Sequence, residues 1–409
     1  MKRFLHPQNW IPPLRPLIEA YLSIAARFIR PDPSVVICGA MNGLLYGDNS
    51  QHLFEWMLEH RPDLSPVWIT RSWKTWRRIR SAGRPALLAY SPRALHALLR
   101  ARVGVFTDNL HDISMDPWIL PKTLSLIALR HGRSVKRVRF ARRAHKISAE
   151  EAERRRFEGE LTRYAISTSE FISELQELCL EIGPEKHVVT GYPRNDALLQ
   201  TPDSQRQAWN RFMGGRSFRK VILYAPSWRH GRYFTRFFPF DDFDLEALEH
   251  FLEEHDCLML LRPHRLDLGY PENRAYLAEL SRQEHVQLAT HEELPDVNSF
   301  LPFIDSLICD YSALYHDYLL LDRPMLFVPY DIEDFESQNG FLYPYLECLP
   351  GPDVRNFPGF LSKLGEIMDD RDPHREARHR LRDRIHAHQD AGATARVVAL
   401  IDEIRAESS

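Results

Sequence analysis

The sequence predicts an α/β protein made of two doubly wound domains, each with a parallel sheet. Three observations predict it. Short apolar runs end repeatedly in polar or glycine-bearing turns. Helix-length segments separate most of these runs, as parallel crossovers require. The 409 residues are also too many for one compact core.

In the first half the strand candidates are 35–38, 67–70, 103–107, 124–129, 164–167 and 187–190. In the second half they are 221–224, 257–261, 286–289, 306–309 and 325–328. Helices are expected over 51–60, 91–102, 168–182, 244–255 and 312–321. The polar stretch 202–220 carries Gly214 and Gly215 and precedes a fresh strand. The expected division is therefore 1–200, 201–380 and a C-terminal helix over 381–409. That helix belongs to a charge-rich run, 373–406, which reads as a solvated face. Residues 14–30 read as a short amphipathic helix with Arg near both ends. It either packs on its own domain or lies on a membrane surface.

Composition removes several function classes. Net charge is −3, which gives no overall bias toward nucleic acid. The five cysteines form no CxxC pair, so neither a zinc site nor a disulfide framework is suggested, and a reducing cytoplasm fits. No apolar stretch approaches the ~20 residues of a membrane-spanning helix. No GxGxxG and no Walker loop occurs, and "ICGAMNG" (37–43) fits neither. No metal site is expected.

In a doubly wound domain, ligands bind beyond the carboxyl ends of the strands. The residues just after each strand are therefore the site candidates. His131 opens the basic turn "RHGRSVKRVR", and a histidine titrating near neutrality suits a base. Arg133, Lys136 and Arg137 behind it form a patch for an anionic acceptor or a membrane surface. Arg194 follows the strand at 187–190. Ser227 and Arg229, with Arg232 beyond, follow 221–224; Arg262, His264 and Arg265 follow 257–261. Guanidinium forks match phosphate geometry. Asp310, Tyr311, Ser312 and Ala313 stand where a strand meets a helix, whose free N–H groups favour an anion.

These segments carry a family resemblance. "TGYPRNDALL" (190–199), "LYAPSWR" (223–229), "LLRPH" (260–264), "ICDYSALYHDYLLLDRPMLFVPYD" (308–331) and "LPGP" (349–352) occur in one order and spacing. Together they resemble the CDP-glycerol:poly(glycerophosphate) glycerophosphotransferase family, whose members build teichoic acids and related polyol-phosphate or capsule polymers. The resemblance covers most of 100–370. It implies a GT-B fold, two Rossmann-like domains with the active site in the cleft between them. It implies a CDP-glycerol-like donor as substrate, no tightly bound cofactor, a lipid-linked or glycan acceptor, release of CMP, and work at the inner face of the membrane. His131 then matches the base and His264 the histidine on the donor pyrophosphate. Arg229, Asp310 and Ser312 match the donor site, joined here by Ser227, Arg262, Tyr311, Ala313 and Arg194. The family's Trp-His-Gly…Thr-Pro-Leu-Lys-Lys motif reads Arg130-His131-Gly132-Arg133-Ser134-Val135-Lys136-Arg137 here, so the acceptor stays unassigned between glycerol, ribitol or another unit. A nucleotide-sugar glycosyltransferase and an inactive polymer-binding partner are the other readings.

Overall fold

The computed structural model describes residues 11–116, 118–132, 135–143, 147–229 and 235–407. The chain forms two compact units. The first takes the described residues up to Gly132, then 147–196 and those from Asp390 on; the second takes 133–146 and 197–389.

Seven parallel strands make the first unit's sheet. They are β1 (Asp32–Cys38), β2 (Ser65–Thr70), β3 (Ala86–Leu88), β4 (Ala101–Phe106), β5 (Ser125–Ala128), β6 (Thr162–Ser167) and β7 (His187–Val189). Their spatial order is β3-β2-β1-β4-β5-β6-β7. The second unit has β8 (Lys220–Tyr224), β9 (Cys257–Leu261), β10 (Val286–Leu288), β11 (Ser306–Cys309) and β12 (Met325–Phe327), ordered β10-β9-β8-β11-β12. Central strands are buried on both faces, so they read as unbroken apolar runs. All five residues of β9 are buried, for example. In both sheets the order reverses beside the first strand. The crevice positions are the turns after β1 and β4 in one unit and after β8 and β11 in the other.

Several expectations change. β3 is a three-residue edge strand, too short to stand out as an apolar run. The helix expected at 312–321 is a five-residue helix, Leu314–Tyr318, followed by one 3-10 turn. The run 373–406 is two helices, Arg375–Ile385 and Ala393–Ala406. The second is no solvated strut. Val397, Val398, Ile401 and Ile404 join the core around β1 and β4. The Asp196 carboxylate accepts from Ala393 N (2.9 Å) and Thr394 N (2.8 Å) and caps it. The last residues thus belong to the first unit, and the simple division at 200 and 380 does not describe the contacts. In the helix Ile11–Ala25, Leu22 is buried, while Leu17, Tyr21 and Ile24 stay exposed, as does Phe28 just beyond it. Among the described residues no helix is long and apolar enough to cross a membrane.

Candidate active site

In the first unit His131 lies three residues past the end of β5. Its Nδ1 pairs with Asp48 Oδ2. Asp48 starts the helix Asp48–His60 in a left-handed conformation (φ 63°) directly after Gly47. Its other oxygen takes Arg194 Nη1 at 2.9 Å, and Arg194 Nη1 also donates to the His131 carbonyl (3.1 Å). Asn49, fully buried, ties the arrangement together. Its amide donates to the carbonyls of Leu129 and Arg130, and its oxygen accepts from Arg194 N at 3.1 Å. Gly132 has φ 91°, and a Cβ there would lie 2.5 Å from Arg194 Nη2, so only glycine lets the turn pass.

The electrostatics suit a base. The Asp48 carboxylate raises the proton affinity of His131 above its ordinary value. Burial pushes Asp48 up, but His131 and Arg194 outweigh it and hold it well below the carboxylate range. With Nδ1 held by the carboxylate, Nε2 is the nitrogen left to exchange a proton. The His131 side chain is 62% exposed, so substrate can reach it. Arg194, expected on the donor phosphate, is buried and committed to Asp48 and His131. Sequence reasoning missed Asp48, because an acid at a helix start reads as an ordinary cap.

In the second unit the turns after β8 and β11 meet over Arg229. Its Nε and Nη2 donate to both oxygens of Asp331 (2.8 and 2.9 Å). Its Nη1 donates to the Ser227 carbonyl (2.7 Å) and lies 2.8 Å from Asp310 Oδ2. The rings of Tyr311, Tyr330 and Phe335 pack around the guanidinium at 5.0–5.4 Å. Asp310 Oδ1 accepts from Ser227 N at 2.8 Å, and Tyr311 Oη donates to Asp331 at 3.2 Å. Asp310 therefore orients a cation, and Arg229 ties the turns after β8 and β11 together. Ser227 Oγ is buried with no hydrogen-bond partner among the described residues, a polar group at the crevice position with capacity for a ligand. Ser312 Oγ accepts from Leu314 N (3.3 Å) and Ala313 caps the short helix.

Lys136 and Arg137 change company. Leu342 N donates to the Val135 carbonyl and Arg137 N to the Gly340 carbonyl, so this strip is stitched to the second unit. Arg137 Nε also donates to the Phe341 carbonyl at 2.9 Å. Lys136 Nζ stands over Phe335 at 5.2 Å, within the fields of Asp310, Arg229 and Asp331; burial pushes its pKa down to about 8. Lys136 belongs with the Arg229 cluster, and Arg137 is tied to the main chain at 340–341, so neither sits in an open basic patch. Arg133 and Arg232 lie outside the described residues.

His264 is exposed and stacks on Trp228 (5.6 Å). Its Nδ1 accepts from Leu266 N, and its own N–H reaches Asp267 Oδ2 at 3.2 Å. Arg262 is different. It is buried, and it donates to the carbonyls of Ala289 (2.8 Å), Leu294 (2.6 Å) and Pro295 (3.4 Å) and to His291 Nδ1 (3.0 Å). It clamps the 289–295 turn instead of awaiting a phosphate, and burial pulls its pKa down to about 10. Arg262→Met is expected to cost about 3 kcal/mol of stability by orphaning these carbonyls. Denaturant unfolding checks this, with donor KM unchanged in the folded fraction. Among the described residues no group of His, Cys, Asp or Glu is placed to hold a metal ion.

Comparison with known proteins places this geometry. The chain is 25% identical to the teichoic acid glycerol-phosphate transferase of Staphylococcus aureus over 389 residues, covering 91% of this chain and 93% of that protein. It is 28% identical to the teichoic acid poly(glycerol phosphate) polymerase of Bacillus subtilis over 350 residues, 81% of this chain but 44% of the polymerase. It is 31% identical to the Staphylococcus aureus ribitol-phosphate polymerase TarK over 185 residues, 45% of this chain and 35% of TarK. The chain thus spans less than half of these polymerases' length. A solved structure of the wall teichoic acid polymerase TagF superposes with a TM-score of 0.78 at 22% identity, over 99% of this chain and 97% of that one. That likeness carries the fold, the GT-B pairing of two Rossmann-like units. The family model for CDP-glycerol:poly(glycerophosphate) glycerophosphotransferase matches residues 22–403, and the chain belongs to that family.

Proposed function

We propose that the chain transfers a polyol phosphate, with glycerol phosphate the leading candidate, from a CDP-linked donor to an acceptor hydroxyl, in synthesis of a teichoic-acid-like surface polymer. The observation that carries this reading, within the family, is the exposed His131 oriented by buried Asp48. The acceptor hydroxyl gives its proton to His131 Nε2 as its oxygen bonds to the phosphorus that carries the polyol. The bond from that phosphorus to the CMP oxygen breaks, and CMP leaves with the electron pair. The pocket around Ser227, Lys136, His264 and Ser312 supplies donors for the pyrophosphate charge. Arg229, Asp310, Asp331 and Tyr311 hold that pocket in shape. The CDP-alcohol is substrate, and the reading requires no resident cofactor.

The test is nucleotide release from CDP-glycerol, CDP-ribitol, a UDP-sugar and a GDP-sugar, with a detergent-solubilised lipid-linked acceptor. Acceptor-dependent CMP release is the expected result. UDP or GDP release instead would move the chain to sugar transfer.

A membrane-borne acceptor is part of this proposal. Leu17, Tyr21, Ile24 and Phe28 offer an apolar surface. Residues 64–107 contain no Asp or Glu, and within them the helix Trp73–Ser81 exposes Trp73 beside Lys74, Arg77, Arg78 and Arg80. Exposed aromatics among cations suit an anionic lipid interface. Binding to phosphatidylglycerol vesicles is expected, and it should weaken several-fold when Trp73→Ala and Phe28→Ala are combined or when salt is raised. Co-sedimentation measures both.

A further inference from the structure

The transfer reading places the acceptor hydroxyl at His131 but names nothing that recognises the rest of the acceptor. In a polyol phosphate the next group along is a phosphate, which a cationic site within reach of His131 would hold. Three turns of the first unit meet at Gly43, whose φ is 68°. Arg71 N donates to the Gly43 carbonyl (2.6 Å), as does Thr70 Oγ1 (2.7 Å). A Cβ on Gly43 would lie 2.8 Å from the His111 carbonyl oxygen and 2.9 Å from Arg71 Cγ. The turns after β1, β2 and β4 are thus tightly packed, with Arg71 and His111 both against Gly43. In the strand order β2-β1-β4-β5, β2 is three strands from β5. Arg71 therefore stands about 14 Å along the sheet edge from the turn of His131.

Most of the Arg71 fork is open. Its Nε donates to Tyr90 Oη (2.7 Å), and the guanidinium lies over that ring. Among the described residues its two terminal nitrogens have no hydrogen-bond partner, and no carboxylate pairs with it. The helix Ala149–Leu161 brings a second guanidinium. Arg155 ties this helix to the β4 turn through the Asp108 carbonyl (3.0 Å) and is otherwise taken up by Glu151 (2.9 Å) and Glu158 (3.4 Å). Arg154 beside it makes one bond, to Glu151 Oε2 (2.6 Å), and its side chain is 22% exposed. All three arginines act on the His111 imidazole. Burial first, then Arg71 and Arg154, hold its pKa down to about 4, against the opposing charge of Asp116. His111 is therefore neutral near pH 7, and its Nδ1 is buried with no partner among the described residues. Glu151 is divided between Arg154 and Arg155, and Arg71 has no carboxylate, so the positive field at His111 is not cancelled.

We propose that Arg71, His111 and Arg154 form a phosphate subsite, which binds the anionic group trailing the acceptor hydroxyl that reacts at His131. The proposal rests on the transfer reading above. Guanidinium forks match the geometry of phosphate oxygens, and a neutral imidazole adds one further N–H donor. Gly43 lets Arg71 and His111 approach, and any side chain there would part them. The subsite selects acceptors that carry phosphate over neutral polyols. That phosphate belongs either to a lipid linkage or to an earlier polymer repeat, and the chemistry of recognition is the same.

The test compares a glycerol phosphate octyl ester with neutral octyl glycerol as acceptors, in wild type, Arg71→Gln and Arg154→Gln. Arg206→Gln, an exposed cation of the second unit, is the control. Wild type should favour the phosphate ester in kcat/KM. Arg71→Gln and Arg154→Gln should each cut that preference about tenfold to a hundredfold, the loss of a hydrogen bond to a charged group. A variant that is merely damaged loses rate with both acceptors alike and keeps the ratio, and Arg206→Gln should keep it too. Equilibrium binding of the two acceptors without donor should show the same preference and the same losses. Competition by farnesyl phosphate would mark a lipid-linkage phosphate, and competition by a short glycerol phosphate oligomer an earlier repeat. Competition by neither, or a preference unchanged in both arginine variants, would overturn the subsite alone. Absence of CMP release from wild type, with phosphate-selective binding present and lost in the variants, would overturn the transfer reading and keep the anion site.

Discussion

His131→Ala is expected to lower kcat by about 10²–10⁴, the usual worth of a positioned general base, while CDP-glycerol binding stays near wild type. Asp48 cannot replace it, being buried and occupied by Arg194. The base works in its neutral form, and its pKa is raised, with the Asp48 charge the largest cause. Activity should therefore rise with pH through a value above the ordinary histidine range near 6.5. Asp48→Asn removes the anion, so that limb should move to lower pH even as kcat falls through loss of ring orientation. A pH profile of kcat for wild type and Asp48→Asn decides the matter. An unmoved limb would assign the titration to another group, and loss of donor binding in a folded His131→Ala would take the base role away.

The strands were legible because parallel strands buried on both faces must be apolar throughout, and 257–261 or 306–309 can hardly be read otherwise. The crevice candidates followed from that, which is why His131, Ser227, Arg229 and Asp310 stand at strand ends. What stayed hidden is partner choice. Arg229 and Arg262 look alike in sequence, yet one is held by two carboxylates and the other by main-chain carbonyls. Asp48 lies 83 positions from His131, and no local pattern joins them. Lys136 sits five residues after His131 and so seemed to share its role. The chain crosses to the other unit at Gly132, and the lysine serves a different pocket. The final helix misled through its charges: four buried apolar residues carry it, and the charges only face outward.

Arg229→Met should be the most destabilising substitution in the second unit, by about 3–5 kcal/mol, because it strands two carboxylates in a buried site. Arg229 is 4% exposed, and its planar fork reaches Asp331, Asp310 and the Ser227 carbonyl at once, with aromatic rings packed around it. Arg229→Lys should recover little, since an ammonium cannot bridge Asp331 in two-point fashion while reaching the other partners. The loss should appear as selective opening of 221–229 and 306–331 in hydrogen exchange, with the first unit protected as before. Adding Asp331→Asn to Arg229→Met removes one of the stranded charges, so the double variant should lose less than the sum of the two single variants. Additive losses would mean that the pair is not coupled. A fully stable Arg229→Lys with only donor KM raised would make Arg229 a direct phosphate contact, which its four bonds to the protein leave little room to be.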